Sequence, residues 1–196
     1  MPSLEQRAVV VKLVCFDHDG VLTDNHVYTN QHGEEMCRYS RADGIGIERL
    51  RALGVHLAVI STEPNPVVAA RCEKLQLPCY QGVADKRKQV EDLAAFHGVM
   101  LDECAFLGND VNDLEAMDAV GLPAVVANPE VRLLDSLNEC GTVYYWAGRK
   151  GGEGAVREFC DWIADCKERA AVAAASPAQM GRLATAIHDG HADGFV

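Results

Sequence analysis

Residues 9–16 read Val-Val-Val-Lys-Leu-Val-Cys-Phe, apolar at every position but one. Such a run predicts a strand buried on both faces. Short stretches at 27–29 and 35–39 flank Asn30-Gln31-His32-Gly33 and predict a β-hairpin. Asp43 is placed to cap a helix carrying Ile45, Ile47, Leu50 and Leu53, which Gly54 stops. Thereafter strands are predicted at 55–60, 103–107, 122–126 and 142–145. Helices are predicted between and after them: 64–75 with a proline near its first turn, 85–97 closed by Gly98, then 111–117, 131–137 and 154–168. Strand–helix alternation implies right-handed crossovers and an α/β fold, a doubly wound parallel sheet of Rossmann-like type. No internal repeat is present. Residues 1–169 form the expected single domain, and the Ala-rich stretch 170–196 is expected to be a flexible tail.

Composition narrows the function classes. A chain of 196 residues with 48% apolar content suits one buried core. A net charge of −11 argues against nucleic acid and anionic membrane as general partners. It leaves room for a small anion in a locally positive pocket. Residues 61–90 carry a net +2, through Arg71, Lys74, Lys86, Arg87 and Lys88, and 146–157 another +2, through Arg149, Lys150 and Arg157. Both segments are expected to feed such a pocket. There is no apolar run long enough to span a bilayer, and the polar start lacks the order of a signal peptide. A cytoplasmic location is therefore expected. The eight cysteines contain no CxxC pair and no matching histidine spacing, which favours buried free thiols over disulfides or zinc.

In open parallel sheets ligands bind at the carboxyl ends of the strands. Those ends carry Asp17-His18-Asp19-Gly20-Val21-Leu22-Thr23-Asp24, then Ser61-Thr62-Glu63, then Gly108-Asn109-Asp110-Val111-Asn112-Asp113, while Lys86 opens a helix. Asp17 and Asp19, two residues apart, can share one magnesium ion, with Asp17 free to attack phosphorus. Asp19 can protonate the leaving oxygen and later activate water. Ser61 and Lys86 can hold phosphoryl oxygens, and Gly20 lets the backbone approach a phosphate. The 109–113 loop can complete the metal site. Taken singly, each has a plain alternative: a turn carboxylate, a helix cap, a solvated lysine. Their order along the chain, each just past a strand or opening a helix, favours the chemical reading.

That set resembles the four motifs of the haloacid dehalogenase superfamily of phosphatases. The short hairpin without an inserted cap domain resembles the capless branch that includes the 3-deoxy-manno-octulosonate 8-phosphate phosphatases. The likeness spans about residues 9–163 and takes in Gly151-Gly152-Glu153-Gly154-Ala155-Val156-Arg157-Glu158. It implies a magnesium-dependent phosphatase working through an aspartyl-phosphate. It also implies a homotetramer whose hairpins pair and whose neighbours complete the active site. Within the branch, Ser61-Thr62-Glu63 followed by Arg71 and Lys74 resembles enzymes of nine-carbon, sialic-acid-like sugars. Glu63 is then the discriminating residue, and Arg71 and Lys74 the ones that would bind a sugar carboxylate. A nine-carbon 2-keto-3-deoxy sugar-acid 9-phosphate is accordingly expected over an eight-carbon 8-phosphate.

Two residues depart from the pattern. Asn109 stands where the superfamily has an acidic magnesium ligand, so either its amide oxygen binds the metal or Asp110 swings in, with Asp113 in support. His18 lies between the two aspartates and is expected to point away from them, because strand neighbours alternate. The Asn109 substitution motivates a second reading, a catalytically weakened module that assembles a tetramer or partners sialic-acid activation. A phospho-accepting signalling receiver is a third reading. It wants its acceptor on a middle strand, whereas the acidic pair here follows the first.

Overall fold

The computed structural model describes residues 2–175. Its organising element is β1 (Leu13–Phe16), which is buried at all four positions. It pairs in parallel with β4 (His56–Ile60) on one side and β6 (Cys104–Gly108) on the other. β5 (Cys79–Tyr80), β7 (Leu122–Val125) and β8 (Tyr145–Trp146) complete a parallel sheet of order β5-β4-β1-β6-β7-β8. The order reverses on either side of β1, as the doubly wound expectation requires. β2 (Thr23–Thr29) and β3 (Glu35–Tyr39) form a separate antiparallel hairpin. That hairpin is all that stands between β1 and the next helix, in place of a cap domain.

The two-residue period of a strand divides the core between the faces of the sheet. Val14 and Phe16 of β1 join one cluster with Ile47, Leu50, Phe159 and Ile163. Leu13 and Cys15 join the other with Val90, Leu93, Met117 and Leu133. The first is covered by α1 (Leu4–Val10), α2 (Ala42–Ala52), α3 (Pro66–Leu75) and α7 (Ala155–Ala174), the second by α4 (Lys86–His97), α5 (Leu114–Ala119) and α6 (Val131–Glu139). Burying a side chain the size of Phe159 in the first layer or Phe106 in the second contributes about 1.5–3 kcal/mol, so both layers are tied firmly to the central strands.

Several boundaries differ from those read off the sequence. The predicted strand at 9–16 begins only at Leu13, because Ser3 and Gln6 close a capping box that starts α1 and carries it through Val9 and Val10. Asp43 is not the cap of α2; it lies inside the first turn, and its carboxylate accepts the N–H of Arg157 from α7. Asn65 caps α3, so Pro66 rather than Pro64 occupies the first turn. β5 has two residues and left no periodic signal. The 111–117 segment divides into a single 3-10 turn and α5. α7 runs on through Ala174, so the expected tail boundary at 170 falls within a helix, and the rest of that tail lies outside the described residues.

Candidate active site

Parallel register brings three strand ends to one level. Phe16 is opposite both Val59 and Leu107, so Asp17, Ile60 and Gly108 lie side by side. Asp17 N–H donates to the Leu107 carbonyl at 3.0 Å, and Ser61 N–H to that of Tyr80 at 2.8 Å. Asp85 accepts Lys88 N–H and starts α4, which delivers Lys86 to the same edge. The residues predicted from strand ends are therefore gathered as expected at Asp17, Asp19, Ser61, Lys86 and Asn109.

At the centre is a buried triad. Lys86 Nζ lies 2.7 Å from Asp17 Oδ1 and 2.7 Å from Asp113 Oδ1. Asp113 Oδ2 accepts the N–H groups of Asn109 and Asp110, at 2.9 and 3.2 Å. Burial, and after it the Asp113 charge, pushes the Asp17 carboxyl up, against the pull of Lys86. Burial also presses the Lys86 ammonium down, but the two carboxylates outweigh it and its pKa rises. One ammonium cannot neutralise two buried carboxylates, so Asp17 holds on to its proton unless a further cation takes the proton's place.

The Asn109 amide could supply a place for that cation. It faces the Asp19 carbonyl oxygen at 2.7 Å and Asp17 Oδ2 at 3.3 Å, and turning its nitrogen toward them satisfies both. Turned the other way, its oxygen joins theirs in a three-oxygen set, the hard donors that magnesium takes. A Cβ at Gly20 would fall 2.2 Å from the Asn109 amide, so only glycine leaves the cradle intact. Among the described residues no group of three or more His, Cys, Asp and Glu side chains could hold a metal. The donor set here instead includes a carbonyl and an amide.

Other assignments are corrected by the geometry. Asp19 meets the cradle through its carbonyl, not its carboxylate, so the two carboxylates do not pinch one ion. Its carboxylate turns to His18, whose Nδ1 lies 2.9 Å from Asp19 Oδ1. His18 thus points toward Asp19, because the chain has left the strand at Asp17 and alternation no longer applies. Asp110 does not swing in; it caps the following turn by accepting Val111 N–H at 2.6 Å. Ser61 is buried and its Oγ accepts Glu63 N–H at 3.0 Å, while Glu63 Oε1 accepts Asn65 N–H at 2.8 Å. Arg71 is turned onto Tyr39, 4.9 Å above the ring, and donates to the Ser40 carbonyl at 2.9 Å. With Arg41 and Lys74 it lines a cavity of about 290 Å³.

The basic segments do not converge as expected. Arg87 and Lys88 pair with Glu91 and Asp92 on an exposed helix face, and Arg157 pairs with Asp161. Arg149 lines a different cavity beside Arg157 and Glu158. Tyr39, whose hydroxyl is 3.1 Å from His18 Nε2, was missed, and no local pattern marked it. The glycine run was legible only through the resemblance. A Cβ on Gly151 would fall 1.8 Å from the Gly20 carbonyl oxygen, and Gly152 N–H donates to that of Val21 at 3.1 Å. The run is the wall against which the Asp17–Asp24 loop is seated.

No protein-family model matches the chain. The 3-deoxy-D-manno-octulosonate 8-phosphate phosphatase KdsC of Yersinia pestis is 33% identical over 159 residues, 81% of this chain and 82% of its own. A Legionella pneumophila structure assigned to the HAD superfamily, subfamily III A, superposes with a TM-score of 0.78 at 35% identity, covering 87% of this chain and 91% of that one. The Moraxella catarrhalis 3-deoxy-D-manno-octulosonate 8-phosphate phosphatase, solved with magnesium, phosphate and KDO, gives 0.77 at 30% identity, covering 87% and 96%. With this likeness over most of its length and the same fold, the chain belongs to the KdsC-like phosphatase family of the haloacid dehalogenase (HAD) superfamily.

Proposed function

We propose that the chain is a magnesium-dependent phosphatase that hydrolyses a 2-keto-3-deoxy sugar-acid phosphate through an aspartyl-phosphate on Asp17. The observation that carries this reading is Lys86 held 2.7 Å from both Asp17 and Asp113, beside the Asp17, Asp19 and Asn109 oxygens. Asp17 forms the new P–O bond as the bond to the sugar oxygen breaks, and Asp19 gives that oxygen its proton. Asp19 then takes a proton from the water that cleaves the acyl-phosphate, which regenerates both carboxyl groups. Magnesium, held by Asp17, the Asp19 carbonyl and Asn109, would neutralise phosphoryl charge. Lys86 holds Asp17 in place, and the Ser61 hydroxyl is within the same strand-end cluster to bind a phosphoryl oxygen. Phosphate release that disappears in Asp17→Asn tests the mechanism; robust turnover by that variant would refute it.

The relatives are named for an eight-carbon substrate. We favour the nine-carbon 9-phosphate on Glu63 alone, with Arg71 and Lys74 as carboxylate ligands. A direct comparison of eight- and nine-carbon sugar-acid phosphates decides it. Assembly into a homotetramer, with a neighbour completing the site, is supported by the hairpin, where Val27, Tyr28 and Met36 are exposed. A cytoplasmic location is supported by the eight cysteines, all free thiols. Among the described residues no helix is long and apolar enough to cross a membrane.

One observation favours the weakened-module reading, the neutral amide at Asn109. Undetectable hydrolysis across a sugar-phosphate panel at saturating magnesium, with an intact tetramer, would establish it.

A further inference from the structure

His18 occupies the position between the two aspartates, and its ring is wholly buried. Both ring nitrogens are engaged: Nδ1 lies 2.9 Å from Asp19 Oδ1, and Nε2 lies 3.1 Å from the Tyr39 hydroxyl. An ionised carboxylate only accepts, so Nδ1 donates to it; in the neutral ring Nε2 is then the acceptor for the Tyr39 hydroxyl, which also lies 3.4 Å from the Val67 carbonyl. The phenol is itself held, since Tyr39 pairs with Thr23 across the hairpin and the Arg71 guanidinium lies over its ring. The His18 carbonyl accepts the N–H groups of Leu22 and Thr23, at 3.0 and 3.1 Å, which pins the backbone as well. Asp19 is different: its side chain is 38% exposed, and among the described residues His18 gives it its one hydrogen bond.

We propose that His18 is a positioning residue for Asp19. It ties down Oδ1 and leaves Oδ2 as the oxygen that delivers the proton to the departing sugar oxygen. Tyr39 and Arg71 act behind it as a brace running from the hairpin and α3. This role rests on the reading of Asp19 as the acid and base of the reaction. An apolar residue at 18 would let an exposed carboxylate rotate among several rotamers, few of them facing the leaving oxygen.

The test uses the dependence on the leaving group. A sugar oxygen needs a proton to depart, whereas p-nitrophenolate needs little help, and kcat/KM reports the steps up to that departure. The full chain is assayed at saturating magnesium with p-nitrophenyl phosphate and with whichever of the eight- and nine-carbon sugar-acid phosphates it turns over. His18→Val should lose about 30- to 100-fold on the sugar phosphate and at least about tenfold less on p-nitrophenyl phosphate. His18→Asn, whose amide nitrogen can replace Nδ1, should recover the sugar phosphate to within about fivefold of wild type. Equal losses on both substrates, or none, would overturn the proposal. If His18→Val does not fold, Tyr39→Phe carries the test, with a smaller split in the same direction expected and equal losses again overturning it. Asp19→Asn should show the largest split. Its absence there would instead overturn the role of Asp19, and no phosphomonoester turnover by wild type would overturn the phosphatase reading itself.

Discussion

Lys86 and Asp17 form a 2.7 Å ion pair with side chains only 1% and 7% exposed. A buried pair contributes little over a well-packed apolar one, but removing one partner strands the other. Here the lysine has two carboxylates to satisfy, so its loss is felt twice.

Lys86→Met is accordingly expected to destabilise the metal-free protein by about 3–5 kcal/mol. It should also reduce kcat by about a hundredfold or more, because Asp17 loses the group that holds it. Lys86→Arg should fold better than Lys86→Met yet remain impaired, since a planar fork cannot copy two contacts to one nitrogen. Thermal melts and phosphate release on the three proteins check this. A Lys86→Met variant as stable as wild type would remove the case for the triad.

Asn109→Asp puts a carboxylate where the neutral amide faces Asp17 Oδ2 and the Asp19 carbonyl. Without metal, acceptors then face one another, and the melting temperature should fall. With magnesium the added charge should tighten binding, lowering the half-activating concentration about tenfold. Melts with and without chelator, beside a magnesium titration of activity, read both effects. An unchanged magnesium dependence would show that Asn109 is not at the metal.

Asp43 gives a pH signature outside the reacting groups. Its carboxyl is pushed up to about 6 by burial, against the Arg157 N–H and the charges of Arg71, Arg149 and Arg157, and among the described residues its Oδ2 has no hydrogen-bond partner. The folded state therefore holds this proton more tightly than the unfolded chain, whose value is about 3.9. The contribution is fully present below that value and is lost as pH rises through about 6. Asp43→Asn should gain on wild type by up to about 3 kcal/mol between pH 4 and pH 8. Denaturant unfolding at the two pH values measures it, and a gain in the opposite direction refutes it.

Gly151→Ala tests the seating of the Asp17–Asp24 loop. The added methyl would fall 1.8 Å from the Gly20 carbonyl oxygen and 2.8 Å from that of Thr23. Backbone must move on one side or the other, at a cost of about 1–3 kcal/mol or more. Activity should fall further than stability does, because Gly20 also borders the Asn109 cradle. Parallel melts and kcat values separate the two, and full activity in a stable variant would count against the packing described.

What the sequence showed and hid has a physical pattern. The meeting of Asp17, Ser61 and Lys86 at one sheet edge was legible because each follows an apolar run or opens a helix, signals local in the chain. His18 was misread because the period-two rule ends with the strand, and its partner Tyr39 arrives from the far strand of the hairpin. Asp43 looked like a cap because its true partner is the backbone of α7, invisible to any local pattern. Arg71 and Lys74 read as carboxylate ligands because they follow a strand end, but Arg71 is turned onto the Tyr39 ring, which no periodicity announces.

The seat formed by Gly151 and Gly152 also makes the site depend on both ends of the described chain. Gly20 and Gly151 come from opposite ends of the described chain, so the Asp17–Asp24 loop and its wall are built from widely separated segments. The strand that bears Asp17 is therefore not sufficient by itself: a chain that kept β1 but lacked Gly151 and Gly152 would leave that loop without its wall.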